Sequence, residues 1–176
     1  MLKDKMSAKN SSAYLSRHVA VLRIIFGLVW AINAAFKWQP AFKSGFLDQV
    51  KSAADGQPQW LHGWFNYWIY LLSHNPHLFA MLVTVAETLI ALALIFGIAR
   101  RATYLAAIVF SLLIWSVAEG FGGPYSATST DIGTGIIYAV VFFSLYGLDR
   151  LAARSTWSLD NYIVKRVPWW AVLANP

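Results

Sequence analysis

Four polar residues with complementary chemistry, Asn33, Lys37, Glu119 and Asp131, fall at the edges of long apolar runs. Asn33 and Lys37 are one helical turn apart and offer hydrogen-bond donors. Glu119 and Asp131 offer acceptors and exchangeable protons. At a water–lipid boundary such groups keep their charge and still act on a molecule dissolved in the bilayer. Glu119 opens the run Glu119-Gly120-Phe121-Gly122-Gly123-Pro124, a Ser/Thr cluster follows, and Asp131 precedes the next apolar run. Residues 105–146 therefore read as a helical hairpin with two carboxylates at its turn. Asp131 also has an ordinary reading as a cap at a helix N-terminus. Glu119 has no such reading, because a helix C-terminus disfavours an anion, and Lys37 is its expected partner. Trp30, one turn from Asn33 on the same stripe, joins Trp115 and Tyr138 as the expected apolar floor of a shared pocket.

A second pair lies deeper. Glu87 sits near the middle of an apolar run, where a charge is costly and normally faces a bundle interior. Ala80, Thr84, Thr88 and Ala91 form a small, polar stripe beside it, suited to close helix packing. At ~1.5 Å of rise per residue, Arg23 and Glu87 come out at similar depth. Arg23–Glu87 then reads as a buried ion pair fixing helix packing, or Glu87 reads as a protonatable group in a proton path or ligand pocket.

These residues need membrane-spanning elements to hold them. The chain is 58% hydrophobic, 16% aromatic and only 12% charged, whereas soluble domains are about 45–50% apolar and about 25% charged. Many of the nine Trp flank apolar runs, where amphipathic rings settle in a bilayer. Spans are expected at 17–36, 76–99, 102–119 and 131–148, each near the length that a bilayer requires. The first resembles a signal peptide in length, but Arg23 interrupts it and no good cleavage site follows, so it reads as a retained helix. Residues 1–16 form a polar tail, 37–75 an outer segment too polar to span, and 150–176 a second tail bearing Pro168-Trp169-Trp170. Within the outer segment Trp60, Trp64, Trp68 and Leu71 recur at helical spacing, as in a short interfacial helix or a cap over the bundle. The expected fold is an all-α integral membrane four-helix bundle spanning 17–149, because helices satisfy their own backbone in lipid.

Orientation follows from the cations. Lys3, Lys5, Lys9, Arg17, Arg100, Arg101, Arg150, Arg154, Lys165 and Arg166 fall on one side, and Lys37, Lys43 and Lys51 on the other. That asymmetry predicts both termini in the cytoplasm. It sets Asn33, Lys37, Glu119 and Asp131 at the outer face. A recess there, apolar for a ring and tail and with donors and acceptors for two carbonyls, is what a quinone requires.

Several chemistries are excluded or disfavoured. With no cysteine, thiolate metal sites, iron–sulfur clusters and dithiol redox chemistry are out. His62, His74 and His77 match no metal-ligand spacing, so no metal is expected. The glycine turn lacks the lysine of a phosphate loop. The net charge of +6 flanks apolar runs rather than a soluble module, which argues for lipid and against nucleic acid. No covalent cofactor attachment site is visible. A transporter using Glu87 and Arg23 would be expected to show an inverted repeat or a broken helix, and neither is apparent.

The segments Ala118-Glu119-Gly120-Phe121-Gly122-Gly123-Pro124, Thr130-Asp131-Ile132-Gly133 and Ile137-Tyr138-Ala139 resemble the DoxX-like membrane family, most of all its DoxD type. Arg23, Gly27, Asn33 to Trp38, Glu87 and Leu94 to Gly97 are similar too, so the likeness covers 17–148. The resemblance implies a prokaryotic cytoplasmic-membrane subunit that passes electrons from an outer donor, such as thiosulfate or a related sulfur compound, to membrane quinone. It implies a second subunit or larger complex as partner. A non-catalytic accessory or assembly role in a respiratory complex is the alternative that the same family leaves open.

Overall fold

The computed structural model describes residues 2–125, 129, 131–152 and 156–175, with side chains from residue 13 onward. Thr130, Arg154 and the side chains of Lys3, Lys5 and Lys9 lie outside the described residues. Eight α-helices follow in order: α1 Leu2–Lys37, α2 Pro40–Ala54, α3 His62–Ser73, α4 Pro76–Phe96, α5 Arg100–Val117, α6 Thr134–Leu151, α7 Asp160–Arg166 and α8 Ala171–Ala174. No strand occurs among the described residues.

Four stretches are long and apolar enough to cross a bilayer: Ala13–Lys37, Pro76–Phe96, Arg100–Val117 and Thr134–Leu151. The shorter two have 18 residues each, or roughly 27 Å of helix at ~1.5 Å per residue, close to the ~30 Å hydrocarbon core. Between 28% and 39% of each span's apolar window is buried within the protein. Ile25, Ile32, Leu89, Val109, Val140 and Phe143 face outward, which in water would be a liability and in lipid is the matching surface. This is a multi-pass membrane protein in contact with lipid.

The four spans form a ring in which α1 packs on α4, α4 on α5, α5 on α6, and α6 back on α1. Small residues make the close crossings possible. A Cβ on Gly27 would lie 2.9 Å from Ile95 Cγ1 and 3.0 Å from the Ile95 backbone nitrogen. One on Gly135 would lie 2.7 Å from the Ser111 carbonyl oxygen. The core that results holds Trp30, Leu94, Tyr104, Phe142 and Leu145.

Four crossings bring both chain ends to one end of the bundle, here the termini end. The tail there is bound to the bundle rather than resting loosely beside it. Asp160 accepts from the backbone N–H groups of Ala99 (2.7 Å) and Arg100 (3.1 Å) and from Trp170 Nε1 (2.8 Å). Its carboxylate thereby caps the positive N-terminus of α5. Arg100 pairs with Asp160 at 3.1 Å and with Asp149 of α6. Leu159 N–H donates to Phe96 O, and Ser158 Oγ to Gly97 O.

At the opposite end, the loop end, the outer segment takes the form of a cap over the bundle. Residues 37–75 build two helices that roof the bundle. Phe46 and Val50 of α2 and Leu72 of α3 form a second apolar cluster with Ala80 and Val117. Pro40 and Pro76 stand at helix starts, where a missing N–H costs nothing, and Asn75 caps α4 through Leu78 N–H at 3.0 Å. The spans also start and stop differently from the hydropathy pattern. The first is continuous with a helix from Leu2, the second ends at Phe96, and the fourth begins at Thr134.

Candidate functional site

Lys37 ends α1, and its Nζ lies 2.6 Å from Glu87 Oε1 in the middle of α4. Glu87 is almost wholly buried, whereas Lys37 keeps 23% of its side chain exposed. The register is set by Thr84, whose Oγ1 donates to the Lys37 carbonyl at 3.2 Å. That places the end of α1 level with Thr84, well inside α4, so α4 projects past it at the loop end.

This overturns the expected Arg23–Glu87 pair. Counting rise from each apparent helix end assumed that α1 and α4 finish together. Because they are offset, Arg23 lies beside the C-terminal turn of α4 at the termini end. There it donates to the carbonyls of Leu94, Ile95 (3.3 Å) and Trp157 (2.7 Å). A helix C-terminus leaves its last carbonyls free, and a guanidinium with several donors satisfies them.

Glu119 also has a partner other than Lys37. Its Oε2 accepts from the backbone N–H of Gly135 at 2.8 Å, in the first turn of α6. The carboxylate ends one helix and caps the next, so the charge that its own helix disfavours suits its neighbour. Asp131 does not cap α6, which starts three residues later. Asp131 is exposed and accepts from Gly133 N–H at 2.8 Å within the turn. Trp115 likewise leaves the expected floor; its Nε1 donates to Ile132 O at 2.7 Å and its ring meets Phe121 edge-on.

The other expected residues do converge. A cavity of about 340 Å³ is lined by Trp30, Asn33, Lys37, Glu87, Ser111, Ile114, Glu119, Thr134, Gly135 and Tyr138. Asn33 Nδ2 donates to the Tyr138 hydroxyl at 3.1 Å. The Trp30 ring packs against Tyr138 and Phe142, which sets the recess wall. Three buried atoms in this lining have no hydrogen-bond partner among the described residues: Trp30 Nε1, Glu87 Oε2 and Ser111 Oγ. Each such group costs about 1–3 kcal/mol when left unpaired. All three belong to residues that line one recess. A molecule in it that both donates and accepts would satisfy them.

Ser111 and Glu87 were not expected in this recess. A polar residue in the middle of a span is the signal that could have found Ser111. Glu87 showed that signal but was paired with the wrong cation.

A cavity of about 460 Å³ adjoins the recess. Lys37, Ile114 and Glu119 line both. Apart from Lys37, Gln49 and Glu119, its walls are apolar.

The DoxX family model matches residues 18–120. The chain belongs to the DoxX family. The matched region carries Asn33, Lys37, Glu87, Ser111 and Glu119, hence most of the recess, and stops before α6 supplies Tyr138 and Gly135. No curated protein and no solved structure matches this DoxX chain.

Proposed function

We propose that this DoxX protein is the membrane subunit of a quinone-linked oxidoreductase, with the recess at Lys37 and Glu87 as the site for the quinone ring. The observation that carries this reading is the set of unpaired buried atoms, Trp30 Nε1, Glu87 Oε2 and Ser111 Oγ, around one cavity beside an ion pair. A quinone ring supplies two carbonyl acceptors, and its quinol supplies two hydroxyl donors. Trp30 Nε1 and Lys37 Nζ donate to the oxidised form; Glu87 Oε2 accepts from the reduced form. Ser111 Oγ does either.

Reduction adds two electrons and two protons to the quinone; in this reading both protons come from water and pass through Lys37 and Glu87, Glu87 taking up a proton before giving it to a ring oxygen. Electrons come from a donor at the partner subunit. The DoxD resemblance makes a reduced sulfur anion the donor class: two thiosulfate anions join through a new S–S bond and release two electrons. With the termini end in the cytoplasm, as the cation distribution favours, the recess lies toward the external face.

The test is purification in native lipid, extraction of bound quinone, and measurement of quinone reduction with the partner complex. Glu87→Gln removes the exchangeable proton with little change of shape. Turnover is expected to fall at least tenfold, with helical content unchanged and with Asp131→Asn as active as the parent. Full turnover in Glu87→Gln would overturn the assignment.

A second reading, an accessory subunit without chemistry, is favoured by one observation. Trp60, Tyr67 and Tyr70 at the loop end expose large apolar rings, Trp60 to 79%, as a protein-docking surface would. It predicts a complex that keeps full activity when the recess is neutralised.

A further inference from the structure

We infer that the apolar cavity between α4 and α5 holds the isoprenoid chain of the quinone, and that the quinone enters sideways from the lipid between these two helices. This rests on the reading of the adjoining recess as a quinone-ring site.

The argument begins with how α4 and α5 are joined. The link Gly97–Ala99 holds them together at the termini end. The cavity lies between their other halves, where Leu82 and Val83 face Phe110 and Leu113. The cavity of about 460 Å³ is open on one side, and in a bundle that otherwise packs closely it is large enough to admit a chain. Ligand sites run about 300–1,000 Å³. Leu82 and Leu113, which line it, are exposed on the lipid-facing side of the bundle, so the void opens to lipid at the seam. Above it, Phe46 and Val50 of α2 and Trp68 of α3 close the roof.

The chemistry of its two ends gives the occupant a direction. At one end Lys37 and Glu119 open onto the polar recess; away from them the walls are apolar and lead to the lipid. A molecule spanning both spaces has a small polar head with donors and acceptors, and one apolar chain. A quinone with an isoprenoid chain fits. A phospholipid would have to bring its charged headgroup down to Glu87, in the middle of a span, and leave a second chain without a slot.

The test compares two quinones that share one ring, one with a ten-carbon chain and one without, binding to the purified protein in nanodiscs. The chained quinone is expected to bind at least tenfold more tightly, after correction for its partition into lipid. Ala86→Phe places a ring in the cavity, which Ala86 lines, whereas Ala86 is not part of the recess lining. It should abolish that advantage and leave the chainless affinity unchanged. A second readout, independent of that variant's folding, is photo-crosslinking of the parent protein by a quinone carrying a diazirine on its chain. Label is expected on peptides containing Leu82 and Leu113, displaced by excess unlabelled chained quinone. Equal affinities for the two quinones, or label elsewhere, would overturn the chain site while leaving the ring site standing. Failure of both quinones to bind would remove the ring site, and the inference with it.

Discussion

Lys37 Nζ lies 2.6 Å from Glu87 Oε1 and ties the last turn of α1 to the middle of α4. The pair is asymmetric: one partner is buried and the other partly exposed. Removing the lysine leaves a carboxylate in a low-dielectric interior without a counter-charge. Lys37→Met is therefore expected to destabilise the fold by about 2–3 kcal/mol, less than the ~3–5 kcal/mol of a fully buried pair because solvent screens the exposed ammonium. Adding Glu87→Gln should recover most of that loss, since neither charge then remains. Thermal unfolding of the four members of this cycle in one detergent checks it, and additive losses would show that the pair is not coupled.

Glu119 gives the second prediction. Its Oε2 accepts from Gly135 N–H, and a glutamine oxygen can accept equally well. Glu119→Gln should therefore unfold within about 0.5 kcal/mol of the parent, whereas Glu119→Ala should lose about 1 kcal/mol, as a lost helix cap does. Faster hydrogen exchange at Gly135 in the alanine variant only is the local signature. A large loss in the glutamine variant would show that charge, not the acceptor, holds the turn.

The contrast between Lys37 and Glu119 explains what could be read before the fold was known. Apolar run length reports directly on the bilayer, so the four spanning helices and their all-α bundle were legible. So was the convergence of Asn33, Lys37, Glu119 and Tyr138, because each stands at the loop end of its helix. Pairing was not legible. It depends on the axial offset of neighbouring helices, and the offset of α1 against α4 is set by packing at Gly27 and Thr84. The offset exchanged Arg23 for Lys37, about four turns further along α1, as the partner of Glu87. Asp131 was misplaced for a related reason: the glycine turn runs on to Gly133 before α6 begins, and nothing in composition distinguishes a long turn from an early helix.

Packing at the glycines supplies the third prediction. A methyl on Gly135 would meet the Ser111 carbonyl oxygen at 2.7 Å, and one on Gly27 the Ile95 backbone nitrogen at 3.0 Å. Backbone atoms cannot swing aside, so either alanine variant must push two helices apart, at a cost of about 1–3 kcal/mol. Gly147, also in α6, has nothing within 4 Å of the added Cβ. Gly147→Ala should be neutral or mildly stabilising. On the proposed quinone site, Gly135→Ala, which alters the recess lining, should also weaken quinone binding, while Gly147→Ala leaves it unchanged.

The last prediction concerns the termini end. Asp160 is 1% exposed and accepts from Ala99 N–H, Arg100 N–H, Arg100 Nε and Trp170 Nε1. Its removal strands the helix N-terminus of α5 and half the partners of a buried arginine. Asp160→Ala is expected to cost about 3–5 kcal/mol and to release α7 and α8 from the bundle. Limited proteolysis should then cut between α6 and α7 in the variant at protease levels that leave the parent intact. Asp149 remains to pair with Arg100, so the α5–α6 hairpin stays closed, and on the proposed quinone site the recess at the far end of the same helices should keep its parental affinity. Loss of quinone binding together with the tail would mean instead that the two ends of the bundle are coupled through α5.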